Sequence, residues 1–191
     1  MYARIFGFAA AAACFAMPVF AAVALGDAAG SYTISPGSSS IHFSIAKLGG
    51  GGFDGAFARF KGNIRIDNSD VGRSQVNFTI FPESVGTGQS RIDAFLRSDA
   101  VFDAANNPEI QFRSISVKRT SDTSALVTGR LTARGKTFQE RFTAEFGGLK
   151  AGKIEFHVTG KVLRSRYGMD VGTPIYSNVV DFDMTLTGRR G

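Results

Sequence analysis

Two histidines, His42 and His157, are the only imidazoles of the 191-residue chain, and its one cysteine is Cys14. A zinc or transition-metal centre needs three or four clustered N or S ligands, and neither histidine has a companion at such a spacing. Asp181 and Asp183 lack the spacing of a calcium loop, and alternation puts both on the polar face of a strand. No metal and no cofactor is expected. Serine is plentiful, yet there is no Gly-x-Ser-x-Gly elbow and nothing that brings a histidine to a serine. The run Gly49 to Gly52 is not followed by Gly-Lys-Ser/Thr and opens no helix, so it reads as a flexible hairpin loop and not a phosphate cradle. Two carboxylates, Asp93 and Glu140, stand among apolar neighbours; an enzyme built on either would need a water-accessible pocket and a strongly shifted carboxyl pKa. Arg164 and Arg166 sit in a loop near a strand end. Their guanidinium groups could meet an anionic headgroup bidentately, or they could only brace the turn.

The segment that precedes these residues reads as a leader. Arg4 supplies a positive start, Ile5 to Met17 an apolar stretch, and Val19-Phe20-Ala21 and Ala22-Val23-Ala24 both fit the small-x-small cleavage rule. Residues 1–24 are therefore expected to be a cleavable signal peptide, cut after Ala21 or Ala24, and residues 25–191 a single domain. The apolar run is shorter than the roughly 20 residues of a membrane span. Cys14 falls within the leader, where Ala11-Ala12-Ala13-Cys14 vaguely resembles an acylation box but lacks a leucine three places before the cysteine. The mature chain thus has no cysteine for a disulfide. Its roughly 170 residues suffice for one sizeable core. The net charge of +6 falls by one with the leader and is scattered among acids. It would suit anionic surfaces or simply solubility, and export argues against nucleic acid.

Period-two alternation dominates the rest of the chain. Ile41, Phe43 and Ile45 share one strand face against Ser40, His42 and Ser44. The pattern recurs in Ile64/Ile66, Val76/Phe78/Ile80, Ile154/Phe156/Val158 and Val180/Phe182/Met184/Leu186. One apolar and one wet face is the signature of antiparallel strands around a single interior. Turn signals at short intervals divide the chain into about eight or nine strands, which suits an up-and-down barrel or a sandwich.

Three places depart from that pattern. Ile92, Phe95 and Leu96 fall at i, i+3 and i+4, so the spacing predicts one short helix near 90–98, with Ser90 as its cap. Between Ile110/Phe112 and Ile115/Val117 the apolar parity slips by one, which a β-bulge near Arg113-Ser114 would absorb. Glu140 shares parity with Phe138 and Phe142; either it points inward and is paired or protonated, or the strand begins later, the reading adopted here.

What remains is apolar mass. Fourteen of the 18 phenylalanines lie beyond the leader, and there is no tryptophan. Parity and helix face direct Phe43, Ile45, Phe78, Phe95, Phe112, Phe156 and Phe182 inward. An eight-stranded barrel is just wide enough to be filled by its side chains or to hold one ligand, and the residues alone leave both open.

Particular motifs go further. Tyr32-Thr33-Ile34-Ser35-Pro36 with Ser40-Ile41-His42-Phe43, then Gly55 to Gly62 (Gly-x-Phe-x-x-Phe-x-Gly), open the series. Asp93 to Leu96, Ser98, Phe102-Asp103, Pro108-Glu109-Ile110 and Phe112 follow. Gly129-Arg130-Leu131-Thr132 with Gly135-Lys136-Thr137, and Arg164 to Met169, complete it. Five such pieces in order resemble the YceI-like family of bacterial exported proteins over nearly the whole mature length. Ser35, Phe95 and Phe138-Gln139 depart from the family's usual Asp, His and Lys-Pro; without that histidine the helix has a greasier inner face. The resemblance implies a lipocalin-like antiparallel barrel that holds a long isoprenoid chain, a periplasmic location and no enzymatic activity. The expected partners are an isoprenoid lipid or quinone, a membrane surface in transient contact, and a second copy in a homodimer. Two rivals stand beside this carrier: a stress-linked structural or interaction module with a filled barrel, and a hydrolase.

Overall fold

A computed structural model describes residues 24–191. The leader expected over residues 1–24, with Arg4 and Cys14, lies outside the described residues apart from Ala24. The described residues form eleven strands: β1 (Gly30–Ile34), β2 (Ser40–Ala46), β3 (Gly52–Phe57), β4 (Phe60–Ile66), β5 (Gln75–Ile80), β6 (Val85–Gly86), β7 (Ile110–Arg119), β8 (Ser124–Ala133), β9 (Lys136–Lys150), β10 (Lys153–Leu163) and β11 (Val179–Arg190). Alternation dictates how they stand. In β4, Phe60, Gly62, Ile64 and Ile66 are buried while Lys61, Asn63 and Arg65 are exposed, as a pleated strand with one wet face requires.

Eight strands, in the order β1-β4-β5-β7-β8-β9-β10-β11, run antiparallel around a ring that β1 closes by pairing with β11. Closure leaves no free edge along that course. The fold is therefore an all-β antiparallel barrel. Among the described residues it carries one α-helix, α1 (Ser90–Arg97). Strand β11 serves two neighbours: Gly188 to Arg190 pair with β1, and Asp181 to Thr185 pair with β2. Strands β2, β3 and β6 extend the wall at the end where β11 begins. Among the described residues β6 has no strand on its far side. Helix α1 packs beside it, and Leu96, Val101 and Phe102 supply the interior there.

The three departures from alternation resolve in physical terms. A register shift between Ser114 and Ser116 of β7 leaves Ile115 exposed and returns Val117 to the interior, the bulge that the parity slip demands. Helix α1 has Gln89 and not Ser90 at its N-cap position, with no side-chain capping bond; Asp93 turns back and accepts from both the N–H and the hydroxyl of Thr87 at 2.7 Å. Strand β9 starts at Lys136, not beyond Glu140, which corrects the later start read from the sequence. Glu140 is inward and 7% exposed.

Candidate ligand-binding site

Side chains from most of the ring converge on an internal cavity of about 180 Å³. Eight phenylalanines line it, Phe43, Phe57, Phe78, Phe102, Phe112, Phe142, Phe156 and Phe182, together with Ile, Val, Leu, Ala and Met side chains. One end is closed by Leu25, whose N–H donates to Asp122 O in the β7–β8 turn, and by Val71. At the other end the loop of residues 164–178, between β10 and β11, turns Arg164, Tyr167 and Met169 inward.

Space survives in so aromatic an interior because glycines sit under the rings. Phe43 faces Gly55 across β2–β3, Phe78 faces Gly62 across β4–β5, and Phe142 faces Gly160 across β9–β10. A Cβ on these glycines would lie 2.4, 2.3 and 2.3 Å from the ring carbons. Gly129 of β8, diagonal to Phe112 across β7–β8, also lies under its ring, with its Cβ position at 2.3 Å. Each ring therefore lies flat on bare backbone and becomes part of the wall, where over a larger residue it would have to project into the lumen. Edge-to-face contacts of Phe142 with Phe112 (5.3 Å between centroids) and with Phe182 (6.3 Å) link the rings into a belt.

Among the described residues that line the cavity, three carry polar side-chain groups: Ser74, Arg164 and the phenol Tyr167. Ser74 Oγ accepts from the Asp67 N–H at 3.2 Å. Arg164 Nε donates to Ser177 O (2.8 Å), Nη1 to Val171 O (2.9 Å) and Met169 O, and Nη2 to Tyr176 O (3.1 Å). Burial lowers its pKa, and Asp170 pulls the other way. Four of its five N–H groups are thus committed to the carbonyls of its own loop. Beside it the Tyr167 hydroxyl donates to Glu140 Oε1 at 3.0 Å. Burial first, and then the adjacent carboxylate, push the Tyr167 phenol well above its ordinary value, so it remains a donor. Arg166 Nη1 lies 3.9 Å from Glu140 Oε1, and its guanidinium covers the Phe138 ring at 5.9 Å.

Of the residues expected inside, Phe43, Ile45, Phe78, Phe112, Phe156 and Phe182 all line the cavity. Phe95 does not; it is 47% exposed. The helix is anchored by buried Leu96, and consecutive residues of an α-helix are 100° apart, so Phe95 is carried sideways out of the wall. Arg164 is corrected as well: its bonds brace the loop, and no bidentate face is left for a headgroup. Arg166 is half-exposed at the mouth. The outward placing of Asp181, Asp183 and His157 follows the alternation, with Asp181 paired to Lys161 and His157 Nε2 3.0 Å from Asp183. Sequence reasoning missed Phe57, Phe102, Phe142, Tyr167 and Met169. Glycines at inward parity, Gly62 after Phe60 and Gly160 after Val158, were the available signal for flat rings.

A closed antiparallel barrel with an apolar, ring-lined lumen belongs to the class of small barrels whose interior is filled by side chains or takes one small ligand. Within that class the YceI-like domain model matches residues 32–188, and the chain belongs to that family. A UPF0312 protein of Serratia proteamaculans is 30% identical over 158 residues, covering 78% of this chain and 80% of its own. Among solved structures, BcnA of Burkholderia cenocepacia superposes with a TM-score of 0.75 at 20% identity, over 81% of this chain and 98% of its own. A polyisoprenoid binding domain from Saccharophagus degradans, implicated in plant cell wall breakdown, superposes with a TM-score of 0.67 at 16% identity, over 84% and 98%. These likenesses establish the fold.

Proposed function

We propose that the protein is an exported, periplasmic binding or carrier protein that holds an isoprenoid-type lipid, a polyprenyl lipid or a quinone, inside the barrel and catalyses no reaction. The observation that carries this reading is the lumen itself: ring-lined, closed at one end by Leu25, and with its one charged side chain turned to backbone carbonyls. Such a wall offers hydrophobic burial, worth about 25 cal/mol per Å², and few polar anchors, which suits a hydrocarbon chain. The polyisoprenoid-binding neighbour supports the ligand class. Phe43, Ile45, Phe78, Phe112, Phe156 and Phe182 are assigned to the tail, and Arg166 to a headgroup at the mouth.

One observation favours a second reading, a filled scaffold that serves as a structural module. An engineered apolar cavity of roughly 150 Å³ accommodates one benzene, so 180 Å³ holds little more than one isoprene-sized group as it stands. In the carrier reading a longer chain displaces half-buried side chains, Phe142, Phe182 and Met184. Delipidated protein incubated with a quinone and passed through a sizing column separates the two: the carrier retains the quinone, the scaffold does not.

A further inference from the structure

We infer that the mouth end of the barrel docks on an anionic phospholipid bilayer through Leu48, Val171 and Ile175. These are exposed by 76%, 43% and 55%, although each is a large aliphatic residue. They do not lie on separate parts of the surface. The Leu48 N–H donates to Ile175 O at 2.8 Å, and Lys47 bridges to Tyr176, so the β2–β3 hairpin and the loop of residues 164–178 form one rim. Contiguous apolar residues at the tip of a soluble barrel mark a contact surface, where scattered ones would not.

The loop has two apolar sides. Tyr167 and Met169 face the lumen, while Val171 and Ile175 face out a few residues later. Leu48 stands beside Gly49, Gly50 and Gly51, whose φ values are +86°, +105° and +75°, and among the described residues nothing lies within 4 Å of a Cβ placed on any of the three, which makes this hairpin an open tip.

Charge selects the occupant. Lys47, Lys136 and Arg166 are exposed around the loop, and Lys136 Nζ reaches over it, 3.1 Å from the position of a Cβ on Gly168. The loop's own acid is Asp170, and the chain as a whole carries +6. Apolar tips ringed by cations fit an anionic lipid surface, which takes the aliphatic groups below its headgroups and the lysines among them. A second copy of this chain would set cation against cation at the same rim. The docking rests on the carrier reading only for its purpose, delivery of the mouth to the membrane that holds the cargo.

The chain has no tryptophan, so Leu48→Trp introduces a sole indole at the rim. Vesicles of phosphatidylethanolamine and phosphatidylglycerol, free of isoprenoid, should shift its emission to the blue and carry the protein upward in a density gradient. Phosphatidylcholine vesicles or high salt should weaken both effects. Leu48→Asp with Ile175→Asp should reduce co-flotation of the otherwise native chain by about ten-fold or more and leave quinone retention in solution unchanged. An unshifted emission, equal binding to phosphatidylcholine, flotation indifferent to the two aspartates, or a blue shift that follows protein concentration without vesicles overturns the inference. Vesicle binding by a protein that retains no quinone upholds the docking and removes the carrier reading instead.

Discussion

Placing a methyl group beneath two of the flat rings asks whether the barrel is hollow. In Gly62→Ala with Gly160→Ala, the new Cβ atoms would fall 2.3 Å from Phe78 and from Phe142. Carbon contacts settle near 3.5–4.0 Å, so each ring must retreat by about 1.2 Å or more. The backbone blocks retreat outward, and the rings move into the lumen. In a filled interior such overpacking costs about 1–3 kcal/mol per site, or about 2–6 kcal/mol for the pair if the sites add. In a hollow barrel the 180 Å³ space accepts the rings, and replacing glycine within a strand recovers about 0.5–1 kcal/mol per site. The empty protein is therefore expected to hold its stability or gain up to about 2 kcal/mol over the two sites. Quinone affinity should fall by about ten-fold or more, equivalent to about 1.4 kcal/mol. The assay is denaturant unfolding of delipidated protein, since bound ligand raises apparent stability, alongside a quinone titration. A loss of several kcal/mol with quinone affinity unchanged would refute the reasoning.

Three further outcomes follow from the loop, the buried phenol and the closed end. Arg164→Lys cannot serve the four carbonyls that the guanidinium serves; with about 1 kcal/mol or more for each orphaned acceptor, it should cost about 3 kcal/mol and open residues 165–178 to limited proteolysis. The native Tyr167 phenol is held above its ordinary value while the unfolded chain's ionises near pH ~10. The unfolded state therefore sheds a proton that the native state keeps, so stability falls as pH rises through about 10, and Tyr167→Phe should flatten that alkaline limb in denaturation series. Leu25 is buried at the closed end and its N–H is bonded to Asp122 O; a new ammonium there would be desolvated, so if the leader is cleaved, the intact mass should correspond to a chain that starts at Ala22 and not at Leu25.

How far the sequence could be read depended on the distance over which each feature is determined. Alternation is local, and one buried face per strand is enough to orient Phe43, Phe78, Phe112, Phe156 and Phe182 correctly. The bulge at Ile115 was legible for the same reason, because a slip in parity has few physical remedies. Phe95 was misplaced because a helix of two turns buries a stripe narrower than the i, i+3, i+4 pattern suggests, and Leu96 occupies its centre. Glu140 was misread because its partner Tyr167 stands 27 residues away, beyond any periodic signal. The pairing of flat rings with Gly55, Gly62, Gly129 and Gly160 depends on cross-strand register, which single-strand patterns do not contain. The sequence leaves Arg164 between a headgroup contact and a brace for the turn because its acceptors are backbone carbonyls, and a sequence does not show where a loop will turn them.

Native mass spectrometry of protein purified without detergent decides whether the lumen carries an isoprenoid guest. A carrier should show a species heavier than the chain by the mass of one polyprenyl lipid or quinone, absent from the Gly62→Ala/Gly160→Ala variant. Bare chain alone, in every preparation and after incubation with a polyprenol or a quinone, would contradict it and make the barrel a solid scaffold.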